Sequence, residues 1–144
     1  MVYINIIGAF DRGRVEGLHP RPNSVLIMIT SLDGTFPNTD GKWKDILYIK
    51  FDDAEWREDK CINDSTSYSL MTENDAIQIL DFVIKHIDND IFISCDAGLS
   101  RSPGVLVALE QIFNANDVSN DWPHHNRYVK NKIRDTWFKR VWNK

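Results

Sequence analysis

Cys95 and Arg101 are separated by Asp96-Ala97-Gly98-Leu99-Ser100 and followed by Ser102-Pro103. A cysteine does nucleophilic chemistry as its thiolate, which needs positive charge or N–H donors close by. Arg101 offers a planar fork that grips two oxygens of one oxyanion, a grip lysine does not reproduce. Gly98 permits backbone angles that a side chain resists. Successive N–H groups between Cys95 and Arg101 can therefore turn into one concavity, a nest for an anion. Ser102 before Pro103 predicts a helix start with Ser102 as cap and Pro103 as first helical residue. The partial positive charge of that helix adds to the nest. Together the N–H groups, the helix and Arg101 favour the thiolate. A thiolate beneath a bound tetrahedral phosphate is set for in-line attack, giving a cysteinyl-phosphate that water then hydrolyses. Ser102 can donate a hydrogen bond to the departing sulfur. The bland alternative for Cys95 is a buried thiol at a strand end, and for Ser102 a helix cap alone.

Such a reaction needs an acid to protonate the leaving oxygen. Asp52 and Asp53 follow the apolar run Ile46–Phe51, at the same edge as Cys95 if the sheet is parallel. The alternative is a solvated acidic loop, with Glu55, Glu58 and Asp59 nearby.

The elements that must hold these groups are legible in part. Val25–Thr30 is a continuous apolar, β-branched run and predicts a buried strand, and Ile46–Phe51 a second. Residues 11–23, rich in Gly, Pro and Arg, predict a loop. Asp33-Gly34 and Pro37-Asn38 mark a turn region, and residues 52–70 a long polar loop. Thr72 with Asp75 three residues on is a capping-box pattern, and Ala76, Leu80, Val83, Ile84 and Ile87 follow at helical spacing. Ile91–Cys95 predicts a strand, Pro103–Phe113 a helix, and 114–125 a loop. A last helix is expected over Asn126–Trp142, with Val129, Ile133, Trp137 and Val141 spaced by four. Strands alternating with helices favour an α/β fold, a mostly parallel central sheet flanked by helices. In such sheets ligands bind beyond the carboxyl ends of the strands, which is where Cys95 falls. The chain of 144 residues suits a single domain over 1–144.

The string from Cys95 through Arg101-Ser102, set between Ile91–Ser94 and Pro103–Leu109, resembles the phosphate loop of the dual-specificity branch of the protein tyrosine phosphatase superfamily. The likeness is greatest to its small, minimal bacterial and phage-type members. It spans roughly residues 24–142 but is specific only over 91–109. The resemblance implies a protein tyrosine phosphatase-like fold and a phosphatase for phosphotyrosine, and for phosphoserine or phosphothreonine if its site is shallow. It further implies Cys95 as nucleophile, Arg101 as phosphate clamp, Asp53 as general acid with Asp52 the fallback, and Ser102 as helper. Residues 96–101 would cradle the phosphate, and no cofactor or metal is expected. The opening Asn126-Arg127-Tyr128-Val129 is also similar to the family's. Two departures stand out. Ser94 occupies the place of the family's usual His, and Asp96 brings a carboxylate into an anion site, where it fits only by pointing away from the phosphate.

Composition narrows the rest. Two cysteines, Cys61 and Cys95, are too few for a disulfide-stapled secreted domain. Cys61 is expected to be incidental, with redox pairing to Cys95 the alternative. The apolar stretch Val2–Phe10 is too short and too early for a signal peptide, and no run approaches a membrane span. A cytoplasmic monomer that does not engage membranes is expected. His124-His125 has no accompanying ligand pattern and predicts a polar loop. Seven of the 17 basic residues, but one of the 21 acidic ones, lie from Asn126 onward. That basic end is most simply a solvated face. It also keeps open an RNA 5′-end or nucleotide phosphatase, although the overall charge of −4 does not favour nucleic acid. A phosphate-binding module with little turnover is the other alternative. Trp122, Trp137 and Trp142 are expected to pack in the core.

Overall fold

The computed structural model describes residues 3–39, 42–54, 69–116 and 122–142. Cys61 and the acidic residues Glu55, Glu58 and Asp59 lie outside them. The elements in order are β1 (Tyr3–Asp11), α1 (Arg12–Glu16), β2 (Ser24–Thr30), β3 (Asp45–Lys50), α2 (Glu73–Lys85), β4 (Asp90–Cys95), α3 (Arg101–Ile112), β5 (Asn114–Ala115) and α4 (Arg127–Trp142). The five strands form one parallel sheet in the order β3-β2-β4-β1-β5. The fold is α/β, as the alternation of strands and helices predicts.

β2 is buried along its whole length. Its Val25, Ile27 and Ile29 join Ile4, Ile6, Ile91 and Ile93 under α2, α3 and α4. Its Leu26 and Met28 point to the other face, where they meet Val15 of α1, Phe36, Trp43 and Phe92. A strand apolar on both sides is what a two-faced parallel sheet requires. The capping box of α2 is present in full: Asp75 N–H donates to Thr72 Oγ1 at 3.1 Å, and Thr72 N–H to Asp75 Oδ2 at 2.9 Å.

Several expectations are corrected. The stretch 11–23 is not all loop: Asp11 caps α1 by accepting Arg14 N–H at 2.7 Å. β1, unassigned from sequence, is an interior strand whose register shifts between Ile6 and Gly8. Beside β5 (Asn114–Ala115, within the expected loop), the Asn116 side chain accepts Ile6 N–H at 2.7 Å and donates to Ile6 O at 2.9 Å. It continues the pairing of β1 where β5 stops. On α4, Val129 and Ile133 are buried but Val141 is 46% exposed, because a step of four residues drifts about 40° per repeat around a helix. Trp122 and Trp137 pack against the core, while Trp142 is 80% exposed. On α2, Ile79 and Phe82 are buried and Ile84 is exposed. No helix among the described residues is long and apolar enough to cross a membrane.

Candidate active site

β4 ends at Cys95, α3 begins at Arg101, and the loop between them lies at the carboxyl edge of the sheet. Gly98 makes the loop possible. Its φ is +70°, and a Cβ there would stand 2.5 Å from Asp11 N and 2.8 Å from Phe10 C. The loop therefore rests directly on the end of β1, where Arg12 N–H also donates to Asp96 O at 3.3 Å. Cys95 is 3% exposed. Its Sγ accepts Gly98 N–H at 3.2 Å and lies 3.1 Å from Ser102 Oγ. The N–H groups of Ala97 and Leu99 have no acceptor among the described residues.

The helix starts two residues earlier than the Ser-Pro signal predicts. Ser100, not Ser102, occupies the cap position, and it makes no side-chain cap bond. Its hydroxyl is directed instead to Asp53 Oδ1, at 2.7 Å. Ser102 lies inside the first turn and faces the sulfur, so its side chain is not a cap.

Arg101 is 5% exposed. One terminal nitrogen, Nη1, donates to Phe51 O at 3.0 Å and to Ser31 Oγ at 3.1 Å. The other, Nη2, donates to Asp96 Oδ2 at 3.0 Å. Nε is buried and has no partner among the described residues. A guanidinium carries five N–H donors. Three are engaged by the protein, which leaves Nε–H and one hydrogen of Nη2 without a partner among the described residues. A buried donor without a partner is costly.

Asp96 lies in the loop expected to cradle the phosphate, where its carboxylate fits only by pointing away, and that carboxylate is taken up by donors of the protein itself. Its Oδ2 takes Arg101, while Oδ1 accepts Thr30 Oγ1 at 2.9 Å and Arg12 Nη1 at 3.3 Å. Burial raises the pKa of this carboxyl, but the Thr30 hydroxyl, Arg101 and Arg12 outweigh it and hold Asp96 below its ordinary value. The carboxylate in the loop is thus part of a rack that orients the clamp.

The two aspartates after β3 separate cleanly. Asp52 accepts Leu32 N–H at 3.2 Å and Ser69 N–H at 2.8 Å, and Asp52 N–H donates to Ser69 O at 2.8 Å. It ties backbone segments together. Asp53 is exposed and reaches the phosphate loop through Ser100. Asn126 Nδ2 also donates to Asp53 Oδ1, at 3.0 Å. The parallel order brings the end of β3 and the end of β4 to one edge.

Sequence reasoning placed Cys95, Arg101, Ser102 and Asp53 together, and the fold brings them together. It missed Thr30, Ser31 and Asn126. Thr30 and Ser31 sit at the carboxyl end of β2, a position that a parallel-sheet reading already marks as site-facing. Asn126 stands out in the sequence only as part of the helix opening Asn126-Arg127-Tyr128-Val129, with no role in the site. His125 Nδ1 lies 2.7 Å from Trp122 O, and no cluster of three or more His, Cys, Asp or Glu able to hold a metal occurs among the described residues. No family model, no curated protein and no solved structure matches this chain.

Proposed function

We propose that this protein is a cysteine-dependent phosphomonoesterase of the dual-specificity phosphatase type, acting on phosphorylated protein or peptide as a cytoplasmic monomer. The observation that carries the reading is the Arg101 Nε, buried and unpartnered beside a loop whose Cys95 sulfur already accepts the Gly98 N–H. Each further feature has a use in that chemistry. Nε–H and the remaining Nη2 hydrogen take two phosphate oxygens, and the open loop N–H groups take others. The Cys95 thiolate attacks phosphorus: an S–P bond forms as the P–O bond to the leaving group breaks. Asp53 gives its proton to that leaving oxygen. Water then attacks the cysteinyl-phosphate, Asp53 takes a proton from it, and the S–P bond breaks to restore the thiolate. Ser102 Oγ, 3.1 Å from the sulfur, steadies the departing thiolate.

A binding module without turnover was motivated by Ser94 and Asp96. Asp96 loses its force as a motive because its carboxylate engages Arg101. The RNA reading rested on the basic last helix. Part of that charge is internally paired, Lys139 with Glu73 at 3.3 Å and Arg140 with Asp81 at 3.0 Å.

The test is hydrolysis of 4-nitrophenyl phosphate and of phosphotyrosine and phosphothreonine peptides by the purified chain in the presence of a chelator. Turnover inhibited by vanadate and abolished in Cys95→Ser is expected. Undiminished turnover by Cys95→Ser would sink the mechanism, and preference for triphosphorylated RNA over peptide would redirect the substrate.

A further inference from the structure

The two donors that hold Asp53 converge on one oxygen. Ser100 Oγ and Asn126 Nδ2 both bond Oδ1, and no donor among the described residues is recorded on Oδ2. Asn126 is 1% exposed, and its polar groups are all engaged. Oδ1 accepts Val129 N–H at 3.0 Å in the first turn of α4. Nδ2 donates to Ala54 O at 3.2 Å as well as to Asp53. The Asn126 N–H donates to Ser100 O at 2.8 Å, and its carbonyl accepts Lys130 N–H at 3.1 Å. A Cβ on Gly104 would lie 2.7 Å from that carbonyl oxygen, so only glycine lets α3 come this close. One buried residue thus joins three segments: its side chain reaches Asp53, Ala54 and Val129, and its backbone N–H reaches Ser100. Its orientation is fixed by the network: the amide oxygen must face Val129 N–H, so the NH₂ must face Asp53.

A helix cap requires only the bond to Val129. The bonds from Nδ2 to Asp53 and Ala54 go beyond it. Oδ1, receiving two donors, acts as a pure acceptor, so a proton on this carboxyl belongs on Oδ2. We infer that Asn126, together with Ser100, is a positioning residue for the general acid, fixing the Asp53 carboxyl so that Oδ2 presents the transferable proton to the leaving oxygen. In the first half-reaction the Oδ2–H bond breaks as the P–O bond to the leaving group breaks. In the second, Oδ2 takes a proton from the attacking water. This deepens the phosphatase reading and rests on it.

The test uses two substrates that differ in their need for an acid. The 2,4-dinitrophenyl phosphate leaving group departs as a stable anion, whereas that of phenyl phosphate must be protonated. Asn126→Ser keeps a capping residue and removes the NH₂. It should lower kcat/KM for phenyl phosphate by about tenfold, a fraction of the ~10²–10⁴ that a general acid supplies. For the dinitrophenyl ester kcat/KM should stay within about twofold, because this quantity reports only the steps up to departure of the leaving group, and the later hydrolysis step is common to both esters. Asp53→Asn should give a larger loss with the same selectivity, and adding Asn126→Ser to it should cost nothing further, because both act through one carboxyl. Should Asn126→Ser fail to give a normal thermal melt, Ser100→Ala removes the other Oδ1 donor and should show the same selectivity. Equal losses of kcat/KM on both substrates in a folded variant, or full additivity with Asp53→Asn, would overturn the inference and leave the phosphatase reading standing. Failure of the wild-type chain to hydrolyse either ester would overturn both.

Discussion

Arg101 is held in place by the protein itself. Its contacts with Phe51 O, Ser31 Oγ and Asp96 fix the guanidinium, so under the proposed function little ordering would remain for a phosphate to impose. Lysine at this position would be a point charge on a flexible stem. Arg101→Lys is therefore expected to lower kcat/KM by about 10²–10³, the loss typical of removing a preorganised oxyanion donor. It should also lower thermal stability, since Phe51 O and Asp96 lose buried partners at about 1–3 kcal/mol for such a group. Steady-state kinetics and a melt on the same variant check both. At this scale Cys95, Arg101 and Ser102 are legible because they are contiguous and their spacing is itself the geometry. The choice between Asp52 and Asp53 is not, because it depends on which carboxylate the backbone of residues 32 and 69 captures.

At the scale of elements, the phosphate loop is shaped as much by β1 as by its own strand and helix. Gly98 sits at φ +70° against Phe10 and Asp11. Gly98→Ala would cost about 1–2 kcal/mol for the left-handed backbone alone, and more for the contact with Asp11 N. The expected outcome is a lower melting temperature together with loss of phosphate protection of Cys95 from alkylation. Alkylation with and without phosphate, alongside a melt, measures it. The β1 that supplies this support is the element hardest to find from sequence. It alternates buried Ile4 and Ile6 with exposed Tyr3 and Ile7, but the register shift before Gly8 breaks the period after a few residues. The start of α3 was misplaced for a related reason. Ser-Pro is a strong local start signal, yet Ser100 begins the helix while its hydroxyl goes to Asp53, a partner 47 residues away. By contrast β2, β4 and the capping box of α2 are set by local pattern, and local pattern found them.

For the whole molecule, two carboxyls link stability to pH. His86 Nε2, 2.8 Å away, lowers the pKa of Asp45, and this outweighs its burial. For Asp96 burial works the other way, and Thr30, Arg101 and Arg12 overcome it. Both native values lie below the ordinary 3.8. Folding is therefore favoured by these carboxylates in full above that pH, and the contribution is lost as pH falls through the lower native values. Asp96→Asn is expected to melt below the wild type at neutral pH, with the gap closing as pH drops past 3.8. A series of melts from neutral to acid pH tests it, and a gap that stays constant or widens would contradict it.

β4 is the middle strand of the sheet but only the fourth in sequence, and it alone joins the β3-β2 pair to the β1-β5 pair. During synthesis β1, β2 and β3 leave the ribosome before the strand that must lie between β1 and β2. Residues 90–95 fill that gap, pairing with 5–11 on one side and 24–28 on the other, contacts of long sequence separation that form late. Because the strand that closes the gap ends in Cys95, joining the two sides of the sheet also puts the thiol at its carboxyl edge. A nascent chain cut short before β4 has neither the joining strand nor Cys95, and the groups that surround the sulfur, Arg101 and Ser102, arrive only with the helix behind it.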